Sequence, residues 1–227
     1  NAILNRRLGK MARSETSAFI TAGVGRSNFF DVAEVASLSM NAQPDNWEAA
    51  LAQGEQALRQ ALEFGFSQSE LDEQLANMEN SLKVAVQTSP TRRTPRLARQ
   101  IMGAFGNEAT ITTPQTALDR FLTNKPDVTL EAVTEAFREG WSGLDAAPQL
   151  YLQTSNVLED GDIKLKAAYD AAKNVPVEAR AEDVKLEFAY SDFGPAGAVA
   201  NKTRIEDLDA TLVIFENNVR LNMKKTD

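Results

Sequence analysis

Apolar residues recur with helical spacing from Asp45 to Phe105, and this long block constrains the fold more than any other feature of the sequence. Gly65 divides the block, because glycine is favoured just beyond the end of a helix. Ser67 to Glu70 has the sequence of a capping box, in which a serine caps a helix start and a glutamate bonds back to it. Asp45 and Glu48 have the same spacing and predict a cap for the first helix. The block therefore predicts successive helices that are separated at Gly65.

Two segments before this block alternate between apolar and polar residues, as strands do. They run from Ser17 to Val24 and from Val32 to Met40, and the polar link between them fits an antiparallel connection. A third apolar run, Leu150 to Thr154, predicts one more buried strand. We therefore predict an α+β fold, with a mixed or antiparallel sheet covered on one face by the helices from Asp45 to Phe105. Three further helices are predicted, after Thr113, after Thr129 and from Ile163 to Ala172.

The last quarter of the sequence loses any sustained period, which predicts a change in organisation. Residues 174–209 contain prolines, glycines and many charges, so we predict an extended linker there. Residues 1–173 would form most of one peptidase-like domain, and residues 210–227 would form the first hairpin of the next. The chain opens inside a helix and closes on a lone hairpin, which is marginal by itself. We therefore expect a segment of a longer chain, incomplete at both ends, whose hairpin pairs with this domain's sheet or with another copy.

The sequence contains no histidine and no cysteine. This excludes Ser-His-Asp and Cys-His catalysis, thiolate zinc sites and every metal site that needs imidazole. Lys and Arg number 24 against 32 Asp and Glu, and the net charge of −8 disfavours binding to a nucleic-acid backbone. No apolar run approaches the roughly 20 residues of a membrane-spanning helix. Only carboxylate, lysine, tyrosine, serine or threonine chemistry remains open to this chain.

Several stretches of the chain occur in the order and spacing of a known enzyme family. They resemble the pitrilysin/insulinase-type zinc peptidases, the inverzincins, which include the mitochondrial processing peptidase. The most specific stretch is Gly65-Phe66-Ser67-Gln68-Ser69-Glu70-Leu71, which is similar to a Gly-Phe-Thr-x-x-Glu-Leu step into a long helix in that family. In the tail, Glu216 to Leu221 stands in the place of a Leu-x-Asn-Gly hairpin, with Asn218 instead of the glycine. The other stretches are Asn5 to Leu8, Trp47 to Leu51, Leu58 to Leu62 and Asp192 to Gly197.

The resemblance implies a non-catalytic middle segment of a long bacterial-type member of this family. Its enzymes carry an inverted zinc motif, H-x-x-E-H, whose histidines bind zinc and whose glutamate activates the metal-bound water. Without histidine, we expect this segment to have no catalytic residue, no metal site and no cofactor. Alone it should neither cleave peptides nor retain zinc. The resemblance places zinc in the catalytic domain of the parent protein, which would be a zinc metalloendopeptidase.

A non-catalytic partner domain in this family contributes an arginine and a tyrosine that hold the substrate near zinc. The nearest match is Arg13 with Phe19, although Phe19 lacks the hydroxyl and the spacing is one residue short. The resemblance thus makes Arg13 and Phe19 the candidate substrate-binding residues. A basic residue near the end of a helix also interacts favourably with the helix dipole, and this structural role is the favoured one.

Other clusters have both a chemical and a structural interpretation. Glu159-Asp160-Gly161-Asp162 could bind calcium but lacks the ligand spacing of an EF-hand, so a capping turn is favoured. One basic cluster could bind an acidic partner or phosphate, although such runs are usually solvated. Trp47, Trp141 and Tyr151 are assigned to packing. The basic cluster comprises Arg92, Arg93, Arg96 and Arg99, with Thr91 and Thr94 beside them.

Two functions from different classes fit these observations. The first is a non-catalytic structural domain of a zinc metalloendopeptidase, which forms part of the substrate chamber and, being acidic, favours basic or neutral peptides. The alternative is a scaffold or interaction module of a peptidase-like protein that has lost zinc, as in core subunits of respiratory complexes. The partners would be other domains of the same parent chain and a peptide substrate, with no nucleic acid and no membrane span. The resemblance favours the periplasm. A carboxylate-based hydrolase is a third class, but no pair of acidic residues stands out for it.

Overall fold

A computed structural model describes residues 1–29, 32–106, 109–145, 148–180, 192 and 194–224. The chain divides into two units, residues 1–183 and residues 184–227. The helices of the first unit are α1 (Ala2–Met11), α2 (Trp47–Phe64), α3 (Gln68–Gln87), α4 (Thr94–Gly106), α5 (Pro114–Asn124), α6 (Leu130–Glu139) and α7 (Gly161–Lys173). Its strands are β1 (Thr21–Phe29) and β2 (Ala33–Asn41), and the strands of the second unit are β3 (Val199–Ile205), β4 (Ala210–Phe215) and β5 (Arg220–Lys224).

Each unit contains one antiparallel sheet in its described part. In the first unit β1 pairs with β2, so that Thr21 lies opposite Asn41 and Val24 opposite Leu38. In the second unit the strand order is β3-β4-β5. Helices predominate over strands, which confirms the predicted α+β class. No described helix has the length and apolar character needed to cross a lipid bilayer.

The hydrophobic core of the first unit lies where α1, β1, α2, α3 and α6 meet. Leu4 and Leu8 of α1 are fully buried there, and they belong to one contiguous cluster of apolar side chains. Burying a leucine side chain contributes about 1.5–3 kcal/mol. The other buried members of this cluster are Ile3, Phe19, Val24, Ala50, Ala57, Leu58, Ala61, Phe66, Leu71, Leu75, Phe137 and Trp141.

The side-chain amide of Asn5 ties α1 to the middle of β1. The backbone N–H of Val24 donates to Asn5 Oδ1 at 2.7 Å, and Asn5 Nδ2 donates to the carbonyl oxygen of Val24 at 2.9 Å. One primary amide therefore makes both of the hydrogen bonds that a neighbouring strand would make with this residue. This pair of bonds fixes the position of α1 along β1.

Helix α7 packs on α2 and is fastened there by a charged group. Arg59 Nη2 donates to the carbonyl oxygen of Ala172 at 3.1 Å, at the C-terminal end of α7. The same guanidinium is held by Glu55, with Nε to Oε1 at 2.9 Å. A positive charge at a helix C-terminus is favourable because the last carbonyl groups lack helical partners.

Four local predictions differ from the structure in the first unit. Asp45 does not cap α2, because its Oδ1 accepts a hydrogen bond from Asn156 Nδ2 at 3.1 Å, and the helix begins after a 3₁₀ turn at Pro44–Asn46. The run Leu150 to Thr154 is not a strand. Its aromatic residue Tyr151 is 84% exposed, so it is not a core residue either. The first predicted strand also begins later, at Thr21.

The predicted extended linker is wrong at residues 199–205, which form β3. Only Val199, Ala200 and Ile205 of β3 are apolar, so the sequence has no sustained apolar alternation that could have indicated this strand. Every residue of β3 is exposed. The terminal hairpin of β4 and β5 forms as expected, with Asn218 in the left-handed region at φ 66°. Among the described residues, the hairpin also pairs with β3 of the second unit, through β4. The predicted domain boundaries otherwise stay predictions.

Substituting Gly65 with alanine tests the junction between α2 and α3. Gly65 has φ 72° and ψ −146°, and an added Cβ would lie 2.8 Å from Thr134 Cγ2. We expect G65A to lower the free energy of unfolding by about 1–3 kcal/mol, because this conformation is nearly restricted to glycine. Urea unfolding followed by circular dichroism measures the change.

The matched control is Gly9→Ala, because Gly9 lies inside α1 with no atom within 4 Å of the added Cβ. G9A should leave the protein unchanged or stabilise it by up to about 1 kcal/mol. Equal destabilisation by both variants would contradict the role assigned to the Gly65 conformation.

Candidate functional site

The Gly65 to Glu70 step, which carries the most specific family resemblance, forms a compact polar centre. The backbone N–H of Gly65 closes α2 by donating to the Ala61 carbonyl oxygen. Ser67 then starts α3 with the predicted capping box: its side chain accepts from the Glu70 backbone, and Glu70 Oε2 accepts from the Ser67 backbone at 2.9 Å. The observed capping box confirms the predicted start of α3. It also fixes the Glu70 carboxylate at the interior end of this helix.

Arg7 reaches this centre from α1 and forms a buried ion pair with Glu70. Arg7 Nε donates to Glu70 Oε1 at 2.5 Å, and Arg7 Nη2 donates to Glu70 Oε2 at 2.6 Å. Nη2 also donates to the carbonyl oxygen of Gly65 at 3.0 Å. The Arg7 and Glu70 side chains are 6% and 9% exposed. A two-pronged pair of this kind is stronger and more directional than a single charged contact. It joins α1, the end of α2 and the start of α3 at one point.

Aromatic rings close the other side of the pair. The guanidinium carbon of Arg7 lies 5.0 Å from the centroid of the Phe66 ring, within the range of a cation–π interaction. Phe66 contacts Phe137 edge-on with ring centroids 5.1 Å apart, and Phe137 lies 6.2 Å from Trp141. These contacts bring α6 against the junction and shield the ion pair from water.

Two buried donors at this centre have no hydrogen-bond partner within the described part of the chain. They are Arg7 Nη1 and Trp141 Nε1. For Arg7 the face of Phe66 supplies part of the missing attraction, because an aromatic face carries partial negative charge. A cavity of about 250 Å³ adjoins the pair and is lined by Arg7, Phe66 and Glu70, among others.

The electrostatics of Glu70 indicate a structural group. Burial raises the pKa of the Glu70 carboxyl. Hydrogen bonds from Arg7 and from the Ser67 backbone together lower it by more than burial raises it, so the pKa of Glu70 lies below its ordinary value. Glu70 is therefore a carboxylate at neutral pH, and its two oxygens already accept hydrogen bonds. It is poorly suited to take up or donate a proton in a reaction.

A second charged cluster lies on α3 and the turn after α5. Lys125 Nζ lies 2.7 Å from Glu79 Oε2, and Lys83 Nζ lies 2.6 Å from Glu79 Oε1. These two hydrogen bonds lower the pKa of Glu79 to about 2. A shallow cavity of about 320 Å³ lies beside Lys125 and Phe121. Two ammonium groups on one carboxylate leave no acid or base for chemistry, so the cluster joins α3 to the segment after α5.

The candidate substrate residues lie in different environments. Arg13 is exposed in the turn after α1, where it is free to contact another molecule. Phe19 is 3% exposed and belongs to the hydrophobic core, which speaks against direct contact with a substrate. The assignment of Arg13 stays a prediction. The sequence analysis did not predict the Arg7–Glu70 pair. The position of Arg7 beside Leu4 and Leu8, on the apolar face of α1, does indicate that this arginine is buried and therefore needs a partner.

The remaining sequence candidates separate into buried and exposed groups. Trp141 is buried in the core, as assigned, and Trp47 is half-buried. Asp160 stands at the N-cap of α7 with φ 53°, but its side chain makes no capping hydrogen bond. In the described ranges no three His, Cys, Asp or Glu side chains lie close enough to hold a metal ion. We therefore assign no catalytic step to these described residues.

No family model matches this sequence, and no curated protein matches it either. Solved structures do match. The periplasmic protease PqqL from Escherichia coli aligns with 99% of this chain at a TM-score of 0.63 and 17% identity. A predicted insulinase-family protease from Yersinia pestis aligns with 75% of the chain at a TM-score of 0.58 and 17% identity. A mutant of the ferredoxin protease FusC, bound to Arabidopsis ferredoxin, aligns with 98% of the chain at a TM-score of 0.51 and 12% identity.

These likenesses establish the fold. The chain has the fold of a segment of insulinase-like proteases, as the resemblance of the Gly65 to Leu71 step implied. The chain spans 25% of PqqL and of FusC, and 37% of the Yersinia protein.

Substituting Arg7 with methionine tests the buried ion pair. R7M leaves the Glu70 carboxylate buried without its partner, so we expect the free energy of unfolding to fall by about 3–5 kcal/mol. The control is Arg6→Met, because Arg6 pairs with Glu73 at a site where both side chains are about 40% exposed. R6M should cost at most about 1 kcal/mol. Urea unfolding measures the free energy of unfolding of both variants. A loss of at most about 1 kcal/mol for both would contradict the structural role of the buried pair.

The low pKa of Glu70 also predicts how stability depends on pH. Because the folded state has the lower pKa, the unfolded state binds more protons as the pH falls from the ordinary carboxyl pKa of 4.5 towards the pKa of the folded state. The stabilisation is therefore complete above that pH and is lost as the pH falls further. We expect E70Q to be less stable than wild type at neutral pH, with the difference shrinking in acid. Because Glu79 also has a lowered pKa, the comparison is repeated in an E79Q background. A difference that stays constant with pH would refute the assignment.

Proposed function

We propose that this chain is a non-catalytic structural domain of a zinc metalloendopeptidase and that it forms part of the chamber around the substrate. The observation that supports this most is a fold likeness over 99% of the chain to one quarter of a periplasmic protease, in a sequence without histidine. A domain of this fold without zinc ligands can contribute walls and positioning contacts but no metal-activated water.

The charged clusters support the same role. The three best-defined groups, centred on Glu70, Glu55 and Glu79, each have their oxygens occupied by arginine or lysine. They join helices to one another and leave no poised acid or base. Such charged groups maintain the shape of a domain, and two of them, Glu70 and Glu55, have side chains no more than 10% exposed.

The rest of the proposal concerns the parent protein. Its catalytic domain would hold the zinc, the other domains of the same chain would be the partners of this one, and its substrates would be peptides. We place it in the periplasm by analogy with PqqL, which is a periplasmic protease. Of the two candidate substrate residues, Arg13 is the exposed one, so a substrate contact by this pair would fall to Arg13.

Photo-crosslinking in the full-length protein tests the chamber role. A peptide that the protein cleaves is labelled with benzophenone, and mass spectrometry then maps the residues to which it attaches. We expect crosslinks within residues 1–180, lost when unlabelled peptide competes. A cleaved peptide that crosslinks only outside this chain would refute the chamber role.

Two measurements separate this proposal from the alternative of a zinc-free scaffold. The full-length protein should contain an H-x-x-E-H motif outside this chain and should retain about one zinc ion per polypeptide after dialysis. The isolated chain should neither retain zinc nor cleave peptides. A full-length protein that lacks both motif and zinc, yet forms a stable complex with other subunits, would establish the scaffold role instead.

A further inference from the structure

The basic cluster of the sequence coincides with a helix whose apolar face is uncovered. Ile101, Met102 and Phe105 of α4 are 42%, 73% and 87% exposed. No side chain of α4 belongs to the hydrophobic core or to the partly buried residues packed against it. Ile101 and Phe105 are four residues apart, so they share one face of the helix with Met102 beside them. Large apolar side chains grouped in this way on a surface mark an interaction site.

Charge is distributed very unevenly around this helix. Residues 81–106 contain five basic and no acidic residues, whereas the rest of the chain contains 19 basic and 32 acidic residues, a net charge of −13. Arg93, Arg96 and Arg99 are exposed and form no ion pair with any residue that the structure describes. Arg92 donates to the Ser89 carbonyl oxygen at 3.1 Å, also without a carboxylate. Lys83 is paired with Glu79, so the four arginines of residues 92–99 form the positive patch on an acidic protein.

The positive and apolar groups are separated along the axis of α4. The arginines occupy residues 92–99, and the exposed apolar side chains occupy residues 101–105. With a rise of 1.5 Å per residue, Arg96 and Phe105 lie about 14 Å apart along the axis. An extended polypeptide covers that distance in about four residues. The nearer pair, Arg99 and Ile101, lies only about 3 Å apart along the axis. A complementary segment would therefore carry acidic side chains within about four positions of apolar or aromatic ones.

We propose that α4 with Arg92 and Arg93 is a docking site for an acidic polypeptide segment that also carries apolar side chains. A lipid surface fits less well, because interfacial helices carry basic residues along their polar face and the second half of α4 has none. An anionic bilayer would also repel the remaining acidic surface of the chain. The site goes beyond the structural role proposed above. The net charge of the chain favours basic peptides, whereas this site would bind acidic ones.

Short peptides are the direct probe. The full chain is applied to an immobilised array of peptides of about nine residues that vary in charge sign, in apolar content and in the spacing between the two. We expect retention to require acidic residues together with apolar ones within about four positions. Retention of basic or neutral peptides in preference, or of none, would overturn the proposal.

Variants of α4 locate the binding site. With the best peptide from the array, fluorescence anisotropy should show binding weakened roughly 10-fold or more for R96E/R99E and to a similar extent for M102Q/F105Q. R96K/R99K keeps the charge and should stay within roughly threefold of wild type. Raising NaCl from about 50 mM to about 500 mM should weaken wild-type binding and affect R96E/R99E much less.

The controls change the same properties on another surface. K164E/K173E alters the net charge by the same amount on exposed positions of α7, and Y151Q/V157Q removes two apolar side chains that are 84% and 96% exposed. Both should bind the peptide as wild type does. Circular dichroism shows whether α4 variants keep their helix content. Losses of equal size in the controls would overturn the assignment to α4.

Two other occupants of this surface are distinguished by the same variants. Sedimentation with phosphatidylglycerol vesicles tests a lipid surface, and light scattering of the eluted chain tests a second copy. If R96E/R99E abolishes vesicle binding or self-association while leaving peptide binding unchanged, the acidic polypeptide is the wrong partner. Loss of peptide binding alone supports the proposal.

Discussion

The buried pair of Arg7 and Glu70 is the interaction on which the arrangement of the first unit depends. Removing two charges from water costs several kcal/mol each, and only close geometry with further hydrogen bonds compensates for it. Here the guanidinium also bonds the Gly65 carbonyl oxygen, and the carboxylate also completes the capping box of α3. These are the two ends of the α2–α3 junction. The pair can exist only when α1, α2 and α3 are in place, so it specifies their arrangement more than it adds to stability.

Local signals in the sequence predicted the elements around this pair better than the pair itself. The Gly65 helix end and the Ser67–Glu70 capping box were predictable because their hydrogen bonds join residues within a few positions. The partnership of Arg7 and Glu70 spans 63 positions, and no local pattern encodes it. Asp45 shows the reverse case. Its spacing to Glu48 suits a cap, but a distant amide, that of Asn156, takes its carboxylate. Strand β3 was not predicted, because a strand with no buried face does not need alternating apolar residues.

Amino-acid composition alone limits the chemistry that the candidate site can perform. A chain without histidine or cysteine has few ways to hold a catalytic metal, and the carboxylates of Glu70, Glu55 and Glu79 are engaged in ion pairs. Phe19 illustrates what a sequence resemblance cannot supply. Its position along the chain was the nearest match to a substrate residue, but tertiary packing decides where its side chain lies, and Phe19 is buried in the core. The exposure of α4 is equally a tertiary property, since its amphipathic pattern alone would fit a buried helix.

The bonds between Asn5 and Val24 determine how the first sheet can grow. The side-chain amide of Asn5 occupies both the backbone N–H and the carbonyl oxygen of Val24, so an incoming strand cannot form hydrogen bonds with β1 at this residue. In the described residues β2 pairs with β1 alone, so the opposite edge is the one open to addition. A two-stranded sheet with a single free edge can join one other such sheet and then has no edge left. Association through the edges of this first sheet would therefore stop at two copies instead of propagating into a fibre, because the side-chain amide of one residue in a neighbouring helix blocks the β1 edge at Val24. The sheet of the second unit is a separate case, since β3 and β5 form its edges.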